Sequence, residues 1–159
     1  MLFRSSKPPV ILIHGMWCTP EALSELREAF EQAGYAVEVP CLPHHRAKTD
    51  YDDDLRATLA QTRLQDYVAF LLDRVNRLEE PPILVGHSMG GLLAQLVAAR
   101  VPCDRLVLLS SAAPGGINGW RWSVVRTLGR NLLLFPLWKH VMELRPENVR
   151  YGIANAQSE

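Results

Sequence analysis

Ser88 has the sequence surroundings of a reactive hydroxyl group. It stands between Gly86 and Gly90 in a G-x-S-x-G pattern, after the apolar run Ile83–Val85 and before a run with helical spacing. A sharp strand-to-helix turn would strain Ser88 and lift its hydroxyl above the sheet, over the helix N-terminus. Both glycines are expected because a Cβ at either position would collide with a neighbouring strand or helix. The pattern therefore predicts a nucleophile at a place where developing negative charge is stabilised.

The predicted elements around Ser88 alternate between strands and helices. Apolar runs typical of buried strands lie directly before Ser88 and at residues 10–13, 35–39 and 104–110. Helical spacing of apolar residues is found directly after Ser88 and at residues 19–34 and 64–78. The polar stretch 41–55 is predicted to be a loop. This alternation predicts an α/β fold, in which helices cover both faces of a parallel sheet.

Length and composition exclude several classes of function. The 159 residues suit one domain, and a chain with 48% hydrophobic and 21% charged residues is typical of globular proteins. Because the formal net charge is zero, there is no electrostatic reason to expect nucleic acid or an anionic membrane as a partner. No apolar run is long enough for a membrane span, and the three cysteines fit neither a metal motif nor a disulfide framework. We expect no metal, no cofactor, no signal peptide and a cytoplasmic location.

Three motifs together resemble the α/β-hydrolase family of serine esterases, lipases and thioesterases. His14–Trp17 follows the first predicted strand as the His-Gly loop of that family does, and Gly86–Gly91 matches its nucleophile elbow fully. Pro40–His44 stands where relatives often carry Asp-Leu-Pro-Gly-His, and it departs from that motif at Cys41 and His44. The resemblance implies the core fold of this family. The strands that come later in that fold have no counterpart among the predicted elements.

The resemblance extends over about residues 9–114 and implies a serine hydrolase. Its partner would be a small molecule, a carboxylic ester or thioester with an apolar acyl or alcohol part. Ser88 Oγ would attack the acyl carbon, and the backbone N–H groups of Met16 and Met89 would bind the oxyanion. The other motif residues are expected to support the elbow and the loop after the first strand, and they are Gly86, His87, Gly90, His14 and Gly15.

The resemblance places the acid and the base of a catalytic triad later in the chain than the elbow. No residue matches them, because His44 and His45 come too early in the family order and His140 lies in the tail. We therefore expect residues 1–114 to be the nucleophile half of a hydrolase core, in the N-terminal part of a longer enzyme. The alternative is a complete, non-catalytic small-molecule-binding module. Substrate identity, the choice among ester, thioester, lactone and amide, and oligomeric state do not follow from the sequence.

Residues 115–159 differ in character from the rest, because a glycine-rich break is followed by tryptophans on a basic helical background. Relatives insert a helical cap at this point, so the resemblance implies the start of a cap. Trp17, Trp120 and Trp122 would then line the substrate pocket, and core packing is the alternative for the tail tryptophans. An unfinished sheet and cap would expose apolar surface, through which we expect self-association.

Overall fold

A parallel four-stranded sheet organises the chain. The structure is a computed structural model that describes residues 7–117, 122–128, 142 and 144–152. The strands are β1 (Val10–Ile13), β2 (Val37–Glu38), β3 (Ile83–His87) and β4 (Arg105–Leu109). They lie in the order β2-β1-β3-β4, and every neighbouring pair is parallel. The predicted α/β fold with a parallel sheet is confirmed, although β2 covers only the middle of the predicted strand 35–39.

The helices predicted after the first strand, before the third and after Ser88 are present, and the structure adds others. The described helices are α1 (Ser24–Gln32), α2 (Asp53–Gln61), α3 (Leu64–Val75), α4 (Met89–Ala98), α5 (Trp122–Leu128) and α6 (Pro146–Gly152). A 3₁₀ turn, Pro20–Leu23, leads into α1, and a second one spans Lys48–Asp50. Helix α3 ends at Val75, three residues before the predicted boundary.

Alternate residues of the central strands pack against different helices, because successive side chains of a strand point to opposite faces. Ile11, Ile13 and Leu84 belong to one buried cluster, which also contains the apolar stripes of α3 and α4. Val10 and Leu12 belong to a second cluster on the other face, where Leu26 and Phe30 of α1 pack. Helices therefore cover both faces of the sheet, and β1 and β3 are buried on both sides.

The predicted loop 41–55 is wrong at its end, because α2 begins at Asp53. The Oδ1 atom of Asp52 accepts the N–H of Leu55 at 2.7 Å, as a helix cap does. Asp53 and Asp54 then lie in the first turn, where carboxylates interact favourably with the positive end of the helix dipole. The acids that predicted a loop are the start signal of a helix.

The described residues form two compact units. The first contains the chain up to Tyr51 together with Thr62–Pro114, and it holds the whole sheet. The second contains Asp52–Gln61, which is α2 with its cap, and the residues from Gly115 onward. The helices described in the second unit are α2, α5 and α6.

Polar contacts join α5 and α6 within the second unit. The guanidinium of Arg126 lies 3.9 Å from the centre of the Tyr151 ring, within the range of a cation–π contact. The Asn148 side-chain amide donates to the carbonyl of Arg126 at 2.7 Å. The role of residues 115–159 as a cap stays a prediction.

Strand β4 forms one edge of the described sheet, and its apolar residues are only partly buried. The side chains of Leu106, Val107 and Leu108 are 39%, 37% and 42% exposed. An apolar edge strand of this kind offers unpaired backbone groups together with hydrophobic surface. Self-association through this edge stays a prediction. Among the described residues, no helix is both long and apolar enough to cross a membrane.

Candidate active site

Backbone strain is concentrated at the carboxyl ends of the four strands. Among the described residues, four non-glycine residues have a positive φ, and they are Trp17 (60°), His44 (63°), Ser88 (56°) and Ser110 (46°). Each follows a different strand, from β1 to β4 in that order. Because the strands are parallel, these four positions come to the same edge of the sheet. Strained residues cluster at functional sites, and open parallel sheets bind ligands at this edge.

Ser88 is the residue between β3 and α4, and its backbone is fixed on both sides. Its φ of 56° and ψ of −119° lie outside the regions that L-residues prefer. The Ser88 N–H donates to the carbonyl of Leu109 at 3.0 Å, and its carbonyl accepts from Gly91 N–H at 3.0 Å and Ala112 N–H at 2.9 Å. These three bonds hold the strained conformation by tying it to the end of β4 and to the first turn of α4.

The glycines of the elbow allow backbones to approach where no side chain fits. A Cβ on Gly86 would lie 2.2 Å from the carbonyl oxygen of Gly90. A Cβ on Gly90 would lie 2.1 Å from the carbonyl oxygen of Ile13, the last residue of β1. A side chain at either position would therefore collide with its neighbours, as the sequence predicted. The atoms that it would meet belong to the backbone and cannot move aside as the end of a flexible side chain can.

The turn after β1, residues 14–18, passes directly beside Ser88. A Cβ on Gly15 would lie 3.0 Å from the Cβ of Ser88 and 3.2 Å from the carbonyl oxygen of His87. Met16 and Trp17 follow in this turn with partly exposed side chains. Met89 follows Ser88 as the first residue of α4, so its N–H lacks an acceptor within the helix.

His14 is a fully buried support of this turn. Its Nε2 accepts the backbone N–H of Leu42 at 3.1 Å, which leaves the ring proton on Nδ1, where it donates to the carbonyl of Gly15 at 3.0 Å. Burial, with a smaller contribution from the neighbouring His45, lowers the pKa of the His14 ring. The ring is neutral, and both of its nitrogens are occupied.

His45 lies in the interior rather than at the mouth of the site. Its Nδ1–H donates to the carbonyl of Cys18 at 3.1 Å, and its Nε2 accepts the hydroxyl proton of Tyr67 at 3.3 Å. Burial lowers the pKa of the His45 ring and raises the pKa of Tyr67 to about 12. Sequence reasoning missed this pair, although a tyrosine in the apolar stripe of α3 signals a hydroxyl that needs a buried partner.

A second polar pair that sequence reasoning missed lies under the elbow. The side-chain amide of Gln95 on α4 donates to Ser111 Oγ at 3.1 Å, and the Ser111 hydroxyl donates to the carbonyl of Ala112 at 3.0 Å. Ser111 packs directly against Gly91, since a Cβ on Gly91 would lie 2.7 Å from the side chain of Ser111. This pair holds the segment after β4 against the helix that begins beneath Ser88.

The three tryptophans predicted to line a pocket are in different situations. Trp17 is half-exposed in the turn beside Ser88, and Trp122 is 74% exposed on α5 of the second unit. Trp120 lies outside the described residues, as does His140. In the described part of the chain, no group of three or more His, Cys, Asp or Glu side chains is placed to hold a metal ion.

Comparisons with known proteins agree on one family. The family model described as "Alpha/beta hydrolase family" matches residues 10–155. A thermostable monoacylglycerol lipase of Bacillus sp. (strain H-257) is 33% identical over 120 residues, which cover 69% of this chain and 45% of the lipase.

Solved structures give the same result. A thioesterase domain from the curacin biosynthetic pathway superimposes with a TM-score of 0.59 at 26% identity, covering 82% of this chain and 43% of that one. A pyrethroid hydrolase from Sphingobium faniae JZ-2 superimposes with a TM-score of 0.54 at 26% identity, covering 72% and 47%. The chain spans less than half the length of these relatives.

We expect Gly86→Ala to destabilise the first unit. The added methyl would lie 2.2 Å from the Gly90 carbonyl oxygen, and overpacking of this kind costs about 3 kcal/mol. The entropic gain of alanine in the unfolded chain is at most about 1 kcal/mol and does not offset it. Urea unfolding measures the difference. Gly115→Ala is the control, because nothing lies within 4 Å of its Cβ position. Equal stability of both variants would contradict the close approach.

We also expect stability to fall in mild acid. The pKa values of His14 and His45 are lowered by burial, so the unfolded chain binds these protons before the folded chain does. Stability from the neutral rings is therefore complete above the unfolded value of 6.5 and is lost as the pH falls below it. Urea unfolding at about pH 7.5 and about pH 5.5 should show a larger loss in the wild type than in His14→Gln or His45→Asn. An identical pH dependence in all three would show that the rings do not cause it.

Proposed function

The chain belongs to the alpha/beta hydrolase family, and from that premise we propose that it is a serine hydrolase, which cleaves a carboxylic ester or thioester through an acyl-enzyme on Ser88. The observation that carries the proposal is the position of Ser88: a strained residue at the tip of a strand-to-helix turn, beside the turn that follows β1. The names of two relatives, a monoacylglycerol lipase and a thioesterase domain, support acyl transfer from oxygen or sulfur.

The proposed reaction has two halves. The Oγ atom of Ser88 bonds to the acyl carbon while its proton passes to a base, and a tetrahedral oxyanion forms. Collapse of this intermediate breaks the bond to the leaving alkoxide or thiolate, which takes up the proton. Water then attacks the acyl-serine ester by the same route and releases the acid. A small molecule with an ester or thioester group is therefore the proposed partner.

The oxyanion would be bound by the backbone N–H groups of Met16 and Met89. The Met89 N–H is free of a helical acceptor at the positive end of α4, and the Met16 N–H follows Gly15, whose Cα borders Ser88. One such donor is worth roughly 10²–10³ in rate, because it strengthens as the charge develops on the oxygen. His87, like Gly15, would act by shaping this place rather than by reacting.

The base and the acid are not assigned to residues of this chain. His14 and His45 are unsuited to the role of base in this structure, since each has both ring nitrogens engaged in hydrogen bonds. Asp104 lies at the other end of β4 from Ser88, next to Arg105. The proposal therefore rests on the nucleophile and the oxyanion donors.

Residues 115–159 are proposed as a helical cap and Trp17, Trp120 and Trp122 as lining of the substrate pocket. The exposure of Trp17 and Trp122 disfavours core packing, the alternative, for these two rings. A cytoplasmic location stays a prediction.

The test is hydrolysis of 4-nitrophenyl butyrate by the purified chain. Ser88→Ala should lower kcat/KM, and a loss of about 10³-fold or more would show that a base and an acid act with Ser88 in this chain, because a nucleophile without them adds little to the oxyanion donors. Ser24→Ala, an exposed serine at the start of α1, is the matched control and should keep the wild-type rate. Equal rates for the wild type and Ser88→Ala would contradict turnover through Ser88 by this chain alone, and would fit either a nucleophile half without its base and acid or the alternative, a non-catalytic small-molecule-binding module.

A further inference from the structure

One neighbouring loop holds the turn 14–18 at both of its ends. At the start of the turn, the backbone N–H of Leu42 donates to His14 Nε2 at 3.1 Å. At its end, Nδ1–H of His45 donates to the carbonyl of Cys18 at 3.1 Å. The two histidine rings lie 5.1 Å apart, so both anchors belong to one buried cluster. Met16 and Trp17 lie between the anchors.

The loop that supplies the anchors is itself tied in place. The carbonyl of His45 accepts from the Cys41 thiol at 3.2 Å and from the Arg46 guanidinium at 3.0 Å. The Tyr51 hydroxyl donates to the carbonyl of His44 at 3.1 Å. None of these contacts involves the turn 14–18, so the loop is a fixed support for it.

Tyr67 supports the tautomer of His45 that the contact with Cys18 requires. A carbonyl oxygen only accepts, so the contact with Cys18 requires the proton on Nδ1 and a lone pair on Nε2. The Tyr67 hydroxyl meets that lone pair at 3.3 Å, with the two rings edge to face at 5.6 Å. Burial raises the Tyr67 pKa to about 12, so the phenol keeps its proton and remains a donor.

The turn needs such an anchor because it contains a strained residue. Trp17 has a φ of 60°, a conformation that costs a non-glycine residue about 1–3 kcal/mol and persists only where the surroundings enforce it. The bond from His45 acts on Cys18, the next residue. Without it, Trp17 could relax to a negative φ, and the backbone of Met16 would rotate with it.

We propose that His45 and Tyr67 are a positioning pair, which holds the Met16 N–H toward the oxyanion formed at Ser88. This inference rests on the proposed function. The pair touches neither the substrate nor the reacting atoms and acts only through the Cys18 carbonyl. Its effect should therefore fall on the transition state, where the oxyanion exists, and not on binding of the uncharged ester.

The experiment compares kcat and KM for 4-nitrophenyl butyrate in the full chain. His45→Leu and Tyr67→Phe should lower kcat by about tenfold or more with KM within about twofold, because a displaced donor costs mainly transition-state energy. His45→Asn should recover most of kcat, since its Nδ2–H replaces Nδ1–H as donor to Cys18. Recovery by a donor of different shape is not expected if His45 only fills space.

Tyr35→Phe is the matched control for Tyr67→Phe. Tyr35 packs edge to face against Phe30 on the other face of the sheet, so loss of its hydroxyl should leave kcat unchanged. Circular dichroism at the assay temperature establishes that every variant is folded. Nitrogen-15 NMR of the histidine rings provides a readout independent of activity. The wild type should show His45 with its proton on Nδ1, and Tyr67→Phe should weaken that preference.

The outcomes separate the two proposals. Ser88-dependent hydrolysis with unchanged kcat in His45→Leu and Tyr67→Phe would overturn the positioning pair and leave the proposed function standing. A raised KM with unchanged kcat would also overturn it, because the pair would then act in substrate binding. Hydrolysis that does not depend on Ser88 would overturn the proposed function, and the positioning pair with it.

Discussion

Helix α4 approaches the ends of β1 and β3 so closely that their backbones are in contact. The Cβ positions of Gly86 and Gly90 are already occupied by carbonyl oxygens, at 2.2 and 2.1 Å. This packing sets the rest of the arrangement, because it leaves no length of chain between strand and helix except Ser88. The residue takes a positive φ to make the turn, and the N-terminus of α4 follows directly after it.

The carboxyl edge of the sheet carries strain that the surrounding hydrogen bonds enforce. Ser88 is held by the ends of β4 and α4, and the turn that contains Trp17 is held through His14 and Cys18. Each strained residue costs about 1–3 kcal/mol, which is comparable to the two or three hydrogen bonds that oppose its relaxation. The free energy of the strained backbone and that of the buried hydrogen bonds are therefore similar in size. Removal of one hydrogen bond should then let a backbone group move, in addition to lowering the stability of the fold.

The sequence predicted those features that depend on local patterns. Apolar runs located all four strands, and the G-x-S-x-G pattern located the strained serine, because glycine spacing and strand-to-helix succession are encoded within about ten residues. The helix α2 was missed, since its capping acids have the composition of a loop. The pairs His45–Tyr67 and Gln95–Ser111 were missed because their partners are 22 and 16 residues apart. Only the folded sheet brings such partners together. The pocket residues and the cap stay predictions.

Ser88 is proposed to be the group at this edge that attacks an electrophile. Treatment of the chain with a fluorophosphonate tests this proposal directly, because the serine oxygen bonds to phosphorus, fluoride leaves, and the serine proton is lost with it. Mass spectrometry of the intact chain and of its peptides then locates the adduct. We predict one adduct for each chain, on Ser88, and none in Ser88→Ala. An unmodified Ser88, or an adduct on Ser110 or Ser111 instead, would contradict the account.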